Sequence, residues 1–352
     1  MAVFRTISLR FRALIIGSVF GLFPMLVTSQ YTDVINSNRP GKAQSAYAVG
    51  RGVVQLESGL FFEQQDHDLL NTESGIFGVD VALRYGLLFE PLEIIWEGIY
   101  QNQSIDFINI GRSDNYTDFF RNRVGLKYLI YDRYKNPERN KPNIRSWRAN
   151  NVFQWKNLIP SVAVYAGANF VLGDNPFYPV DEPTVSPRVM VATQSRLSPR
   201  FVLVTNIAYD RIGSDFPEWS YLVSISHAFR NPRWSIFAEN QGIQSDRYSD
   251  VLLRGGIAYL FNKNFQADLN LGASFKNTPS RIFIASGVSY RLDYHKDKLI
   301  PIEDQDKISR NAMKKSGSGS KAERKARRKA EKRNKKRSKG NEEEEDDYDF
   351  QD

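Results

Sequence analysis

Apolar and polar residues alternate with a period of two along most of this chain. From Val54 onward, Leu56 and Leu60 continue one face, while Gln55 and Glu57 lie on the other. Successive side chains of a β-strand point to opposite faces, so this pattern predicts a strand with one apolar and one polar side.

The same alternation recurs along the chain and predicts about twelve strands. The segments are 54–63, 79–87, 92–101, 120–131, 161–172, 187–196, 201–210, 219–229, 233–241, 251–261, 265–275 and 281–292. Each is about ten residues long, the length with which a tilted strand crosses a bilayer. Many aromatic residues lie towards the strand ends on the apolar face, as in the interfacial girdles of membrane barrels. The fold class predicted for residues 50–293 is therefore all-β, an antiparallel transmembrane β-barrel of about 12 strands.

The lengths of the connections support this fold. Short connections at 89–91, 198–199, 231–232 and 262–264 alternate with longer ones at 64–75, 103–116, 173–184, 211–217 and 242–250. Outer-membrane barrels alternate short periplasmic turns with longer outside loops in this way. Residues 132–158 fall where a short turn is expected. Their sequence predicts either an amphipathic helix or an extra hairpin.

Charged residues on the polar faces are the candidates for lining the lumen. They are Glu57, Arg84, Glu93, Glu97, Arg121, Arg123, Lys127, Glu239, Arg254, Asp268, Arg281 and Arg291. Their signs alternate between neighbouring strands, which predicts ion pairs across the inner wall. Two interpretations follow: the pairs fill a narrow interior as structure, or they line a conduit.

The amino terminus is typical of a secretory signal peptide. Three arginines precede about 15 apolar residues, fewer than the roughly 20 that a membrane-spanning helix needs. We assign residues 1–29 to the signal peptide and 30–49 to a periplasmic segment. The expected location is the outer membrane of a Gram-negative bacterium.

The net charge of +8 comes largely from the carboxyl-terminal part of the chain. Residues 294–352 are expected to be a disordered tail in the periplasm, with a basic part at 314–339 and an acidic part at 340–352. The tail is either solvated without a specific partner or a tether to an anionic periplasmic partner. An exported protein makes nucleic acid an unsuitable partner despite the basic residues.

The composition is poor in the residue types that form metal sites and nucleophilic centres. The chain has no cysteine and 3 histidines, so neither a metal site nor a cofactor is predicted. The enzyme alternative is a lipid-facing phospholipase pair of His227 and Ser286, but these residues lie on predicted strands far apart around the wall. The prediction is that the protein is not an enzyme.

Several segments resemble one family of outer-membrane transporters. They are Asn38–Gly41, Gly50–Gly59, Leu83–Leu87, Leu92–Ile94, Pro160–Phe170 and Phe237–Glu239. Together they are similar to the "MetA-pathway of phenol degradation" family, and the resemblance covers about residues 33–293. It implies a β-barrel that moves small, often hydrophobic molecules. Leu172–Asp174 and the long charged tail depart from the family pattern, which leaves the solute unidentified.

The function predicted is a transporter or channel for small molecules. The alternative is a structural or assembly component of an outer-membrane complex, tethered through its charged tail. The expected partners are outer-membrane lipids, the barrel-assembly machinery and a small-molecule solute.

Overall fold

The computed structural model describes residues 32–295, except 136–139, 141–142, 147, 149, 151 and 180–181. The predicted signal peptide lies outside the described residues, and so does the predicted tail from residue 296 onward. Within the described ranges, no helix is both long enough and apolar enough to span a membrane.

Twelve antiparallel strands form one sheet. They are β1 (Val53–His67), β2 (Thr72–Gly86), β3 (Leu92–Phe107), β4 (Arg112–Tyr131), β5 (Ser161–Phe170), β6 (Val185–Arg196), β7 (Phe201–Asp210), β8 (Glu218–Ala228), β9 (Trp234–Gln244), β10 (Ser249–Asn262), β11 (Phe265–Ser274) and β12 (Ser280–Asp293).

The sheet closes on itself. Each strand pairs with its neighbours in sequence, and β1 pairs with β12 from Val53 opposite Asp293 to Asp66 opposite Ser280. Closure leaves no unpaired edge, which is the condition for a sheet to lie within lipid. The predicted all-β antiparallel barrel of about 12 strands is confirmed.

The barrel is apolar outside and polar inside. On β1, Leu60 is 51% exposed, whereas Gln55 is 1% and Glu57 is 3% exposed. The outward face continues with Val191, Ile225 and other exposed aliphatic side chains around the wall. A soluble barrel has the opposite distribution, so this wall suits a lipid solvent.

The first two hairpins are longer than the sequence predicted. The pairing of β1 with β2 continues to His67 opposite Thr72, and that of β3 with β4 continues to Phe107 opposite Arg112. The long loops expected at 64–75 and 103–116 are therefore mostly strand. Most strand residues in these segments are polar, which obscured the alternation although the backbone ladder continues.

Residues 132–158 add no strand to the barrel wall, because β4 pairs directly with β5. A 3-10 helix covers Trp155–Leu158, and residues 148 and 150 are helical. The extra hairpin considered from the sequence is thus not inserted between these strands.

The segment before β1 differs most from expectation. The sequence predicts a periplasmic segment at residues 30–49, but Ala46, Tyr47 and Val49 are buried, at 0%, 4% and 3% exposure. Side chains on the inner face of many strands bond to this segment, so its described part lies inside the barrel. We call residues 32–52 the plug.

Candidate channel lumen

The plug begins at the barrel end where β11 starts and β12 ends. The amide of Ile35 donates to the Lys263 carbonyl at 2.8 Å. Arg291, a predicted lumen residue, donates from Nη1 to the Thr32 carbonyl at 2.7 Å and from Nη2 to the Asp33 carbonyl at 2.8 Å. The plug contains no helix or strand, so the wall must satisfy its backbone groups.

Arg39 fixes the plug to the inner wall beside β1 and β12. Its Nη1 donates to Asp80 on β2 at 2.8 Å, while Nε and Nη2 donate to Asp268 on β11 at 3.0 and 3.1 Å. Burial disfavours the charged guanidinium, but Asp80 and Asp268 outweigh it and raise the pKa of Arg39 above its usual value. The planar guanidinium joins β2 and β11, which are separated by β1 and β12 around the wall.

Two glycines make room for this guanidinium. Gly59 of β1 lies opposite Gly287 of β12. A Cβ at either position would come within 2.3 Å of Arg39 Nη2. Any larger residue would therefore displace the side chain that holds the plug.

Glu239 on β9 binds the backbone of the next turn of the plug. Its carboxylate accepts the amides of Lys42 at 3.0 Å and Ala43 at 3.0 Å. Arg254 on β10 pairs with the same carboxylate at 3.0 Å. Two predicted lumen residues thus form an ion pair that binds the plug backbone.

The returning part of the plug bonds to the opposite side of the wall. Gln44 exchanges two backbone bonds with the side chain of Asn206 on β7, at 2.6 and 2.8 Å, and its Nε2 donates to Glu97 on β3 at 2.7 Å. Ser45 Oγ donates to Gln194 on β6 at 2.6 Å. The plug therefore spans the lumen from wall to wall.

Tyr47 anchors this part of the plug by contacts with β5 and with the residues that follow β4. Its hydroxyl lies 3.1 Å from Asp132 Oδ1 and 2.8 Å from Ser161 Oγ. Burial raises the pKa of Tyr47 well above its usual value.

A buried network of charges holds the plug where it leaves the lumen. Arg84 on β2 donates to Glu57 at 3.3 Å and to Glu93 at 3.0 Å, and Lys127 on β4 pairs with Glu93 at 2.6 Å. Lys127 also donates to the Ser45 carbonyl at 2.7 Å, and Glu93 accepts the Val49 amide at 2.8 Å. Buried charges are tolerated when paired and hydrogen-bonded in this way.

The remaining predicted lumen residues lie nearer the far end. Arg281 on β12 pairs with Glu63 on β1 at 2.6 Å. Arg123 lies 3.6 Å from Glu97 and 3.4 Å from Asp210 on β7. Arg121 is on the same inner face of β4. None of the twelve candidates belongs to the exposed class, but their role in transport stays a prediction.

Sequence reasoning missed several lumen residues. Arg188 on β6 pairs with Asp210 on β7, and Asp80 and Asn206 hold the plug. All four residues lie on the polar, inward-facing side of a predicted strand, and this position could have identified them. The plug had no such periodicity, and only the Asn38–Gly41 motif marked it.

The enzyme alternative has no matching geometry. The ring of His227 packs 4.2 Å from that of Phe201 on the outward face. Three strands, β9 to β11, separate its strand β8 from the strand of Ser286, β12. In the described part of the chain, no three His, Asp or Glu side chains are grouped to hold a metal.

Comparison with known families assigns the chain. The family described as "Putative MetA-pathway of phenol degradation" matches residues 37–292. The chain belongs to this family. The match begins inside the plug and ends in β12, so the family region includes both the wall and its internal segment. No curated protein sequence matches the chain.

Several solved barrels are remotely similar. The COG4313 outer membrane channel from Pseudomonas putida F1 has a TM-score of 0.44 at 12% identity, covering 73% of this chain and 100% of that one. The TodX monoaromatic hydrocarbon channel deltaS2 mutant has a TM-score of 0.41 at 10% identity, covering 72% and 93%. The KdgM porin has a TM-score of 0.38 at 10% identity, covering 67% and 99%. The family assignment does not depend on these likenesses.

Proposed function

We propose that this protein is an outer-membrane channel for small molecules whose lumen holds its own amino-terminal segment as a plug. The observation that carries the proposal is the closed wall of twelve strands, apolar outside and charged inside. A wall with this polarity suits lipid around it and a polar path within it. Membership of the family supports the same function.

The plug sets the condition for transport. Arg39 bridges β2 and β11, and Gln44 bridges β3 and β7. A solute that crosses this level must displace the plug or pass through gaps in its packing. The plug is held mainly by hydrogen bonds and ion pairs, which water can replace when the plug moves. We therefore propose that conduction depends on movement of the plug.

The cellular setting belongs to the same proposal. We place the protein in the outer membrane of a Gram-negative bacterium, inserted by the barrel-assembly machinery and surrounded by outer-membrane lipids. The region after residue 295 would lie in the periplasm, and the protein would act as a channel without catalysis. The solute would be a small molecule.

Reconstitution tests the channel. Purified full-length protein would be inserted in planar bilayers, with the plug-loosening variant Arg39→Gln measured beside it. Folding is checked first by anomalous migration of the unboiled protein on a denaturing gel. We expect discrete conductance steps that are larger or more frequent for the variant. Folded protein and folded variant that both give no current, and no swelling of solute-loaded liposomes, would contradict the channel.

A further inference from the structure

Arginines concentrate on the inner wall near the ends of β5, β6 and β7 that lie away from the termini. Arg121 and Arg123 share the inner face of β4, Arg188 lies on β6, and Asp210 ends β7. We call Arg121, Arg123 and Arg188 the arginine cluster. It lies outside the set of residues that hold the plug.

The cluster has more positive than negative groups around it. Charged groups that act electrostatically on one another here include Arg121, Arg123, Arg188, Arg211, Glu97, Asp210 and Glu218. Arg123 and Arg188 share the single carboxylate of Asp210. In this set the guanidinium groups outnumber the carboxylates by four to three.

Hydrogen-bond donors of the cluster are also unused. Arg123 Nε, Arg188 Nε and the Tyr165 hydroxyl are buried without a hydrogen-bond partner. Arg123 is 5% exposed, Arg188 is 8% exposed and Tyr165 is 0% exposed. Within the described residues, the guanidinium of Arg121 makes neither a hydrogen bond nor an ion pair. Buried donors left unpaired are costly, so several in one place indicate a missing acceptor.

The backbone beside the arginine cluster departs from regular strand pairing. A β-bulge interrupts the pairing of β3 with β4, so that Ile99 faces Arg121 and Tyr100 faces Phe119. The connection from β5 to β6 folds onto the bulge, where Tyr178 Oη donates to the Phe120 carbonyl at 2.9 Å. Arg211 lies 5.6 Å above the Tyr178 ring. Bulges that redirect side chains are common beside functional sites.

We propose that the arginine cluster binds the carboxylate of a small organic acid. One carboxylate would pair with the arginines and accept hydrogen bonds from several of the donors that lack a partner. Arginine suits this task because its planar group offers paired donors to a carboxylate. The inference deepens the proposed channel function by naming the chemical class of its solute, but binding itself can be tested without transport.

Calorimetric titration of the full-length protein in detergent tests the site, with benzoate as the probe and benzamide as the uncharged control ligand. We expect benzoate to bind and benzamide not to bind. Arg121→Gln should weaken benzoate binding about tenfold, the loss expected for one charge-assisted hydrogen bond. Arg121→Lys keeps the charge and should recover part of the affinity. Arg112→Gln is the matched control on the same strand, since Arg112 is exposed and, among the described residues, pairs only with Asp114.

The results separate the site from the channel. Equal binding of benzoate and benzamide, or equal affinity of wild type and a folded Arg121→Gln, overturns the carboxylate site while leaving the channel untouched. Benzoate binding that depends on Arg121 in a protein without conductance supports the site and contradicts the channel. If Arg121→Gln does not fold, unchanged benzoate affinity in Arg121→Lys overturns the site, because lysine cannot reproduce the paired donors.

Discussion

At the residue scale, Arg39 and Lys42 show why burial decides how much an ion pair contributes to stability. Both contact Asp80, at 2.8 Å and 2.6 Å. The Arg39 side chain is 7% exposed and also binds Asp268, whereas the Lys42 side chain is 44% exposed. Water screens the lysine pair, so its geometry alone says little about stability. Removal of Arg39 would leave the buried carboxylate of Asp268 without its ion-pair partner, whereas Asp80 would keep Lys42.

We therefore expect Arg39→Gln to lower the free energy of unfolding by about 3 kcal/mol. Lys42→Gln should lower it by less than about 1 kcal/mol. Urea unfolding of the refolded barrel in detergent, followed by tryptophan fluorescence, measures both. Equal effects of the two substitutions would show that Arg39 is not the residue that fixes the plug.

Gly59 offers a second test of the same contact. Alanine at 59 would put its Cβ 2.3 Å from Arg39 Nη2, whereas a Cβ at Gly75 meets nothing within 4 Å. The guanidinium cannot move aside without leaving a carboxylate. Gly59→Ala should therefore destabilise the barrel by about 1–3 kcal/mol, and Gly75→Ala should change stability by less than about 0.5 kcal/mol. A neutral Gly59→Ala in the same unfolding assay would contradict the close approach.

At the element scale, the strands were predictable and the plug was not. A strand repeats every two residues, so Val54 to Glu63 reveal their two faces without knowledge of any partner. The plug has no period, and its partners are distant in sequence: Gln44 and Asn206 are 162 residues apart. Likewise, the alternation of apolar and polar residues predicted that Glu239 faces inward. Only the structure shows that Glu239 binds the amides of Lys42 and Ala43.

A reducible link tests whether the plug moves as an element. Ser37 Oγ lies 2.7 Å from Ser289 Oγ on β12, close enough for the pair Ser37→Cys and Ser289→Cys to form a disulfide. The chain has no other cysteine to compete. We expect oxidation to lower the single-channel current and a reductant to restore it.

Each single-cysteine variant is the control for this experiment and should respond to neither reagent. If the oxidised and reduced double variants conduct equally, solutes pass a stationary plug. The requirement for plug movement would then be wrong, although the channel itself would stand.

At the scale of the whole molecule, the even number of strands fixes the topology. Both termini of the barrel, Val53 and Asp293, lie at one end and pair with each other. The turn at 87–91 lies at that end, and the turn at 68–71 lies at the other. In outer-membrane barrels the end with the termini faces the periplasm. The first two hairpins would then extend beyond the outer surface.

Two leucines at opposite ends test this orientation. Leu69 is 78% exposed in the turn after β1, and Leu88 is 74% exposed in the turn after β2. A membrane-impermeant charged maleimide should label Leu69→Cys in intact cells, because that turn faces the medium. It should label Leu88→Cys only after the outer membrane is opened. Leu56→Cys, on the lipid-facing wall, should react with a lipid-soluble reagent and resist the charged one in both preparations. Labelling of Leu88→Cys but not Leu69→Cys in intact cells would mean that the barrel is inserted the other way round, with the plug entering from outside.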